Sequence, residues 1–151
     1  MVTENALSLI REREGLRLRL YNCPSQNCTV GFGHRVHGGP IDGRLSEAQY
    51  ANGISKAQAE NLLFADADIF ADGVKKLAPQ ANQNQVDALV SFAYNFGLRA
   101  LAQSTLLRKF NAGDAQRAAE EFTKWVNING KPSEWLLGFR QREKALFLRP
   151  L

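Results

Sequence analysis

The sequence predicts an α+β fold in which helix dominates: a small N-terminal antiparallel sheet lobe, a long connecting helix and a helical C-terminal lobe. Three observations carry that prediction. Leu16, Leu18 and Leu20 alternate with Arg17 and Arg19, turn-forming residues follow at 24–27, and residues 29–33 return, which is the pattern of a hairpin with one half-buried face. From Ser55 to Val74 apolar residues recur at helical spacing over about twenty positions. Beyond Pro79 the signals are helical throughout, and 151 residues with 44% apolar content suit one compact unit or two lobes sharing one chain.

Taken in order, Thr3 can cap a first helix with Ala6, Leu7 and Ile10 on one face, running to Glu14 and stopped by Gly15. After the hairpin, residues 34–45 are rich in glycine, with Pro40 and Asp42-Gly43 as breakers, so they read as a loop with room for one short edge strand. Ser46 opens a short helical turn. Ser55, with Gln58 three residues on, has the form of a capping box leading Ala59, Leu62, Leu63, Ala67, Phe70 and Val74, and Pro79 ends that helix. Val86, Leu89, Val90 and Ala93 share one face of the next helix, which stops at Gly97. Residues 104–111 form another, closed by Gly113. Asp114 caps a helix from Ala115 to Trp125, Asn129-Gly130 turns the chain, and Pro132 or Ser133 starts a last helix reaching Phe147. The expectation is a single domain over residues 1–151: helix 1–14, lobes at about 14–54 and 79–151, and a helix at about 55–77 joining them.

The formal charge of +4 is uneven, since residues 98–151 hold ten Lys or Arg against five acids while residues 1–53 hold six against five. Basic character suits nucleic acid, a membrane surface or an anionic polymer. No helix-turn-helix, aromatic-basic platform or zinc spacing supports the first, so nucleic acid is excluded as a partner. Residues 1–13 mix four charged groups with short apolar runs, which offers neither a signal-peptide core nor a membrane span. Synthesis in the cytoplasm without stable membrane insertion is expected.

The chemistry gathers between Glu14 and His34. Eight residues separate Glu14 from Cys23, and five separate Cys23 from Thr29. Glu14 falls at the negative end of a helix dipole, and with apolar surroundings its pKa should be raised. A carboxylic acid still protonated near neutrality can act as a general acid, giving its proton to a leaving oxygen. Two hairpin registers are open. Pairing Cys23 opposite Thr29 puts both on one face, able to look at Glu14. Pairing Cys23 with Cys28 brings the two thiols into disulfide range and throws Cys23 and Thr29 onto opposite faces. Only the first sets Cys23 and Thr29 together facing Glu14, with Cys28 in the loop, and synthesis in a reducing cytoplasm keeps both thiols free. The only histidines are His34 and, in the adjacent loop, His37, and the two cysteines lie on a hairpin too short to form a tetrahedral site with them, so no metal is expected.

Glu, then eight residues, Cys, five residues and Thr, followed by Gly31-Phe32-Gly33-His34, resembles the catalytic signature of phage-type lysozymes, the endolysins of glycoside hydrolase family 24. The likeness extends over nearly the whole chain through Ser91-Phe92-Ala93-Tyr94-Asn95-Phe96-Gly97, Ser104-Thr105-Leu106-Leu107, Gly113-Asp114, Trp125, Gly130-Lys131 and Gly138-Phe139, in the family's order. It implies a lysozyme-like fold and a muramidase cleaving the β-1,4 bond between N-acetylmuramic acid and N-acetylglucosamine, without cofactor. Glu14, Cys23 and Thr29 take the catalytic positions by this resemblance. Tyr94, Asn95, Thr105 and Arg142 fall at substrate-binding positions of a groove between lobes, although Gln141 replaces the first arginine of the family's pair. It further implies an ion pair of His34 with Asp66. The partners expected are peptidoglycan glycan strands and a pore-forming holin for export, with the protein a monomer acting on the periplasmic wall. A thiol is an unusual base, its reference pKa being about 8.5, so Cys23 serves either as base or as a group that positions water. Two other readings stand beside hydrolysis: a lytic transglycosylase, and a catalytically weak module that only binds the wall.

Overall fold

A helix capped by Thr3, a short sheet and a run of helices follow from the chain's own punctuation. The computed structural model describes every residue from Met1 to Leu151. Helix α1 (Glu4–Glu14) is followed by strands β1 (Arg17–Asn22), β2 (Cys28–Gly31) and β3 (His34–His37), a 3₁₀ turn (Leu45–Tyr50) and helix α2 (Lys56–Leu77). Then come α3 (Gln83–Phe96), α4 (Leu98–Ala102), α5 (Thr105–Asn111), α6 (Ala115–Glu121) and a 3₁₀ turn (Phe122–Lys124). The strands β4 (Asn127–Ile128) and β5 (Lys131–Pro132) and helix α7 (Glu134–Leu148) complete the chain. The architecture is helix-dominant with a small antiparallel sheet. No helix is long and apolar enough to cross a membrane. Two compact units divide the chain, Ile10–Asp66 and Met1–Leu9 with Ala67–Leu151, so the divisions fall inside α1 and inside α2.

In the unit Ile10–Asp66, the sheet has the order β1-β2-β3, and its central strand β2 is buried along its whole length. Gly31 closes that strand in the left-handed region at φ 71°, and a Cβ there would stand 3.5 Å from the Cβ of Ala59 on α2, so the strand end lies close on the helix. The expected half-buried face survives only at Leu20 in β1, since Leu16 and Leu18 are 38% and 42% exposed. The cause is its place at the sheet edge, with irregular pairing between Arg17 and Tyr21. The capping box is present, Ser55 N–H donating to Gln58 Oε1 at 2.7 Å and Gln58 N–H to Ser55 Oγ at 3.1 Å.

The other unit is held by aromatic packing along α3. Phe92 is fully buried, with the rings of Phe96, Phe122 and Trp125 at 5.5, 5.8 and 5.2 Å between centroids. The chain tightens from α6 into 3₁₀ at Phe122, which brings Phe122 and Trp125 to that ring and ends α6 earlier than the sequence suggests. Into this apolar setting α7 places a buried ion pair, Arg140 Nε 3.0 Å from Glu143 Oε1, with Ser91 Oγ donating to Glu143 Oε2 at 2.5 Å. The Arg140 guanidinium lies over the rings of Phe92 and Phe96. The first turn of α1 is anchored here too, Thr3 N–H donating to Asp87 Oδ1 at 3.0 Å and Thr3 Oγ1 to Asp87 Oδ2.

Candidate active site

Gly15, at φ 71°, ends α1 by donating its N–H to the Arg11 carbonyl at 2.9 Å, and this leaves Glu14 as the last residue of the helix. Its carboxyl is fixed from two sides. Arg13 Nε stands 2.9 Å from Glu14 Oε2, the Arg13 side chain being buried and that of Glu14 22% exposed. Gly33, in the turn between β2 and β3 at φ 75°, lies so close that a Cβ there would be 2.6 Å from Glu14 Oε1. Only glycine supplies both that φ and that gap.

The hairpin register differs from both alternatives read in the sequence. Asn22 pairs with Cys28 and Tyr21 with Thr29, and Cys23 N–H donates to the Asn27 carbonyl at 3.0 Å, so Cys23 stands opposite Asn27. The loop closes one pair sooner because Gln26 takes a left-handed φ of 61° and its N–H returns to the Cys23 carbonyl at 2.7 Å. Cys28 is accordingly the first residue of β2 and fully buried, not a loop residue. Period-two alternation still places Tyr21, Cys23 and Thr29 on one face, with Cys23 and Thr29 as diagonal neighbours, and sends Cys28 to the other. Both cysteines are free thiols, as faces pointing apart require. Thr29 is buried and its Oγ1 donates to the Asn27 carbonyl at 2.7 Å.

Tyr21 is a member of this cluster that the sequence did not single out. Burial pushes its phenol pKa up, with the charges of Glu14 and Cys23 adding to the rise, while Arg17 stacks over its ring at 4.8 Å and opposes it. A tyrosine opposite the threonine becomes visible only once the register is known. His34 Nδ1 stands 2.7 Å from Asp66 Oδ2, and Tyr50 lies edge-on to the imidazole at 6.2 Å. That contact ties β3 to α2 within the same unit.

The remaining sequence-derived residues belong to the helical unit. Tyr94 is half-buried against Phe70, ring centroids 5.4 Å apart. Asn95, beside it at the end of α3, is exposed and its Oδ1 accepts from Arg140 Nη2 at 3.0 Å. Thr105 opens α5 after the Ser104 cap and accepts from Arg108 Nη2 at 3.1 Å. Arg142 is exposed, two residues past Arg140 and so about 200° round α7. It lies over the Phe139 ring at 5.4 Å and lines a shallow pocket with Glu4, Asn5 and Ser8. The arginine that reaches Asn95 is therefore Arg140, which the sequence reading passed over.

Residues 11–145 match the family model described as phage lysozyme. The endolysin of Bacillus phage B103 is 43% identical over 150 residues, which are 97% of this chain and 54% of that protein, so the chain spans about half the length of that relative. The endolysin of Acyrthosiphon pisum secondary endosymbiont phage 1 is 38% identical over 151 residues, covering 97% of each. Among solved structures, the muramidase domain of SpmX from Asticaccaulis excentricus superposes with a TM-score of 0.81 at 30% identity over 99% of both chains. With a family match that leaves out only ten residues at one end and six at the other, the chain belongs to the phage lysozyme family.

Proposed function

We propose that this protein is a muramidase hydrolysing the β-1,4 bond between N-acetylmuramic acid and N-acetylglucosamine in bacterial peptidoglycan. The observation that carries this reading is the Glu14 carboxyl, fixed between Arg13 and Gly33 in the unit that also presents Tyr21, Cys23 and Thr29 on one hairpin face. Relatives named as endolysins, and a structural neighbour named as a muramidase domain, support it.

In this scheme Glu14 donates its proton to the leaving glycosidic oxygen as the bond to the anomeric carbon breaks, and water attacks that carbon from the opposite face. Thr29 gives its own hydroxyl proton to the Asn27 carbonyl, which leaves Oγ1 free to accept from that water. Cys23, diagonal to it, is the base or a second group holding the water. Tyr94, Asn95, Thr105 and Arg142 contact the saccharides, with Arg140 setting the Asn95 amide so that its N–H groups face outward. The scheme asks for no cofactor. The protein acts on the wall as a monomer, after a pore-forming holin or breakage of the cell lets it through.

Mass spectrometry of digested wall tests the reaction: reducing muramic ends are expected, anhydro ends mean transglycosylation, and intact wall means binding alone. Glu14→Gln should keep wall binding and lower turnover by about a hundredfold or more. Activity within a few-fold of the parent overturns the assignment.

A further inference from the structure

The face of the sheet turned away from the Cys23 and Thr29 side carries a cluster that the hydrolysis does not use. Cys28 on β2 and His37 on β3 are partners at an irregularity in the pairing just before Thr29, their side-chain donors lie close together, and Glu47 meets them from the 3₁₀ turn Leu45–Tyr50. The thiol sulfur, an imidazole nitrogen and a carboxylate oxygen lie within 4.8 Å of one another. All three are well enclosed: Cys28 is fully buried, and the side chains of His37 and Glu47 are 8% and 6% exposed.

The surroundings orient these atoms as a metal's outer shell does. His37 Nδ1 donates to the Gly38 carbonyl at 2.8 Å, which orients the ring, and Nε2 donates to Glu47 Oε2 at 2.6 Å, so Nε2 is the ring atom that would face the ion once its proton leaves. Glu47 is held in turn by the backbone N–H groups of Asp42 and Gly43, both at 2.9 Å. Cys28 N–H donates to the Gly39 carbonyl at 2.8 Å, which fixes the strand end beside the loop. The Cys28 thiol meets the same Glu47 carboxyl that His37 does, so thiol, imidazole and carboxylate converge on one point.

We propose that Cys28, His37 and Glu47 form a zinc(II) site. One thiolate, one neutral imidazole and one carboxylate suit zinc, whereas magnesium and calcium prefer oxygen alone. In a tetrahedral site the donors stand roughly 3.3–3.6 Å apart, from bond lengths of about 2.0–2.3 Å. The present separations reach this by adjustments of about an ångström, His37 and Glu47 parting from 2.6 Å and any pair near the 4.8 Å limit closing. The thiol and imidazolium protons leave as the ion enters, and the two negative ligands balance its charge. Water takes the fourth position, with Asp42 Oδ1, 3.9 Å from His37 Nε2, beside it.

Cobalt(II) alone, titrated into metal-free protein carrying Cys23→Ser, tests the site, because Cys28 is then the only thiol. The expected result is a near-ultraviolet thiolate-to-cobalt band with the visible bands of four-coordinate cobalt, saturating at one equivalent and displaced by zinc(II). Adding His37→Asn should weaken binding by about tenfold or more, the least that loss of a ligand's support brings. Absence of the thiolate band overturns the proposal, and so does a folded His37→Asn protein that binds as tightly as before. Should His37→Asn fail to fold, presence or absence of the band in the Cys23→Ser protein decides.

Discussion

Gly33 governs the position of the one carboxyl on which the proposed chemistry depends. Gly33→Ala introduces a Cβ at 2.6 Å from Glu14 Oε1 and forces alanine to φ 75°, so the carboxyl must move. The left-handed φ costs about 1–2 kcal/mol, or roughly 2–8 °C in a domain of this size. A displacement of about 1 Å from productive geometry lowers turnover by about a hundredfold. Turnover on wall suspensions beside a melting curve checks this: a large fall in kcat with a small fall in Tm is expected, and unchanged kcat shows that this position of Glu14 is not the reactive one. At this scale the sequence was legible where a residue type has one strong meaning, as for Gly15 ending α1 at Glu14. It was not legible where a turn chose between neighbouring pairings, since Gln26 entering the left-handed region moved Cys23 from Thr29 to Asn27 and Cys28 into the strand. Arg140 escaped notice because a buried arginine among phenylalanines is recognisable only from its surroundings.

Helix ends carry their stability in identifiable groups, and two of these give measurable expectations. Ser55→Ala removes the acceptor for Gln58 N–H at the start of α2 and should cost about 1 kcal/mol, read as a fall of about 2–4 °C. Further along, Glu121 ends α6 with its carboxyl 2.5 Å from Lys124 Nζ and 3.1 Å from Lys109 Nζ, which joins α5 to the turn after α6. The hydrogen bond from Lys124, with that from Lys109 behind it, lowers the Glu121 pKa below its ordinary 4.5 against the opposing effect of burial. A depressed carboxylate pKa stabilises the fold above the ordinary value, and that stability is lost as pH falls through the folded value. Glu121→Gln should therefore lower Tm at pH 7, and its deficit relative to the parent should shrink as pH falls below the ordinary 4.5. A constant deficit across that range shows the carboxylate charge to be irrelevant. Long elements were legible from periodicity and caps, α2 and α3 most clearly. Helix α4, with five residues, and strands β4 and β5, with two each, are too short to show a period, and only the Asn129-Gly130 turn between the strands announced itself.

For the molecule as a whole, the excess of cations in residues 98–151 predicts salt-sensitive attachment to an anionic wall. Between about 0.01 and 0.1 M salt the screening length falls from about 30 to about 10 Å, and retention of the Glu14→Gln protein on sedimented wall should fall with it. Retention independent of salt assigns attachment to sugar contacts instead. The chain's division between units has a consequence for its synthesis. Residues Met1–Leu9 leave the ribosome well before the segment they belong with, Ala67–Leu151, and Thr3 awaits Asp87, 84 positions later. At translation speeds of about 5–20 residues per second that wait lasts about 4–17 s. Ile10–Asp66 has been made in full before that wait ends, while the start of α1 is still without its partner, so of the two units the one that holds Thr3 is finished later.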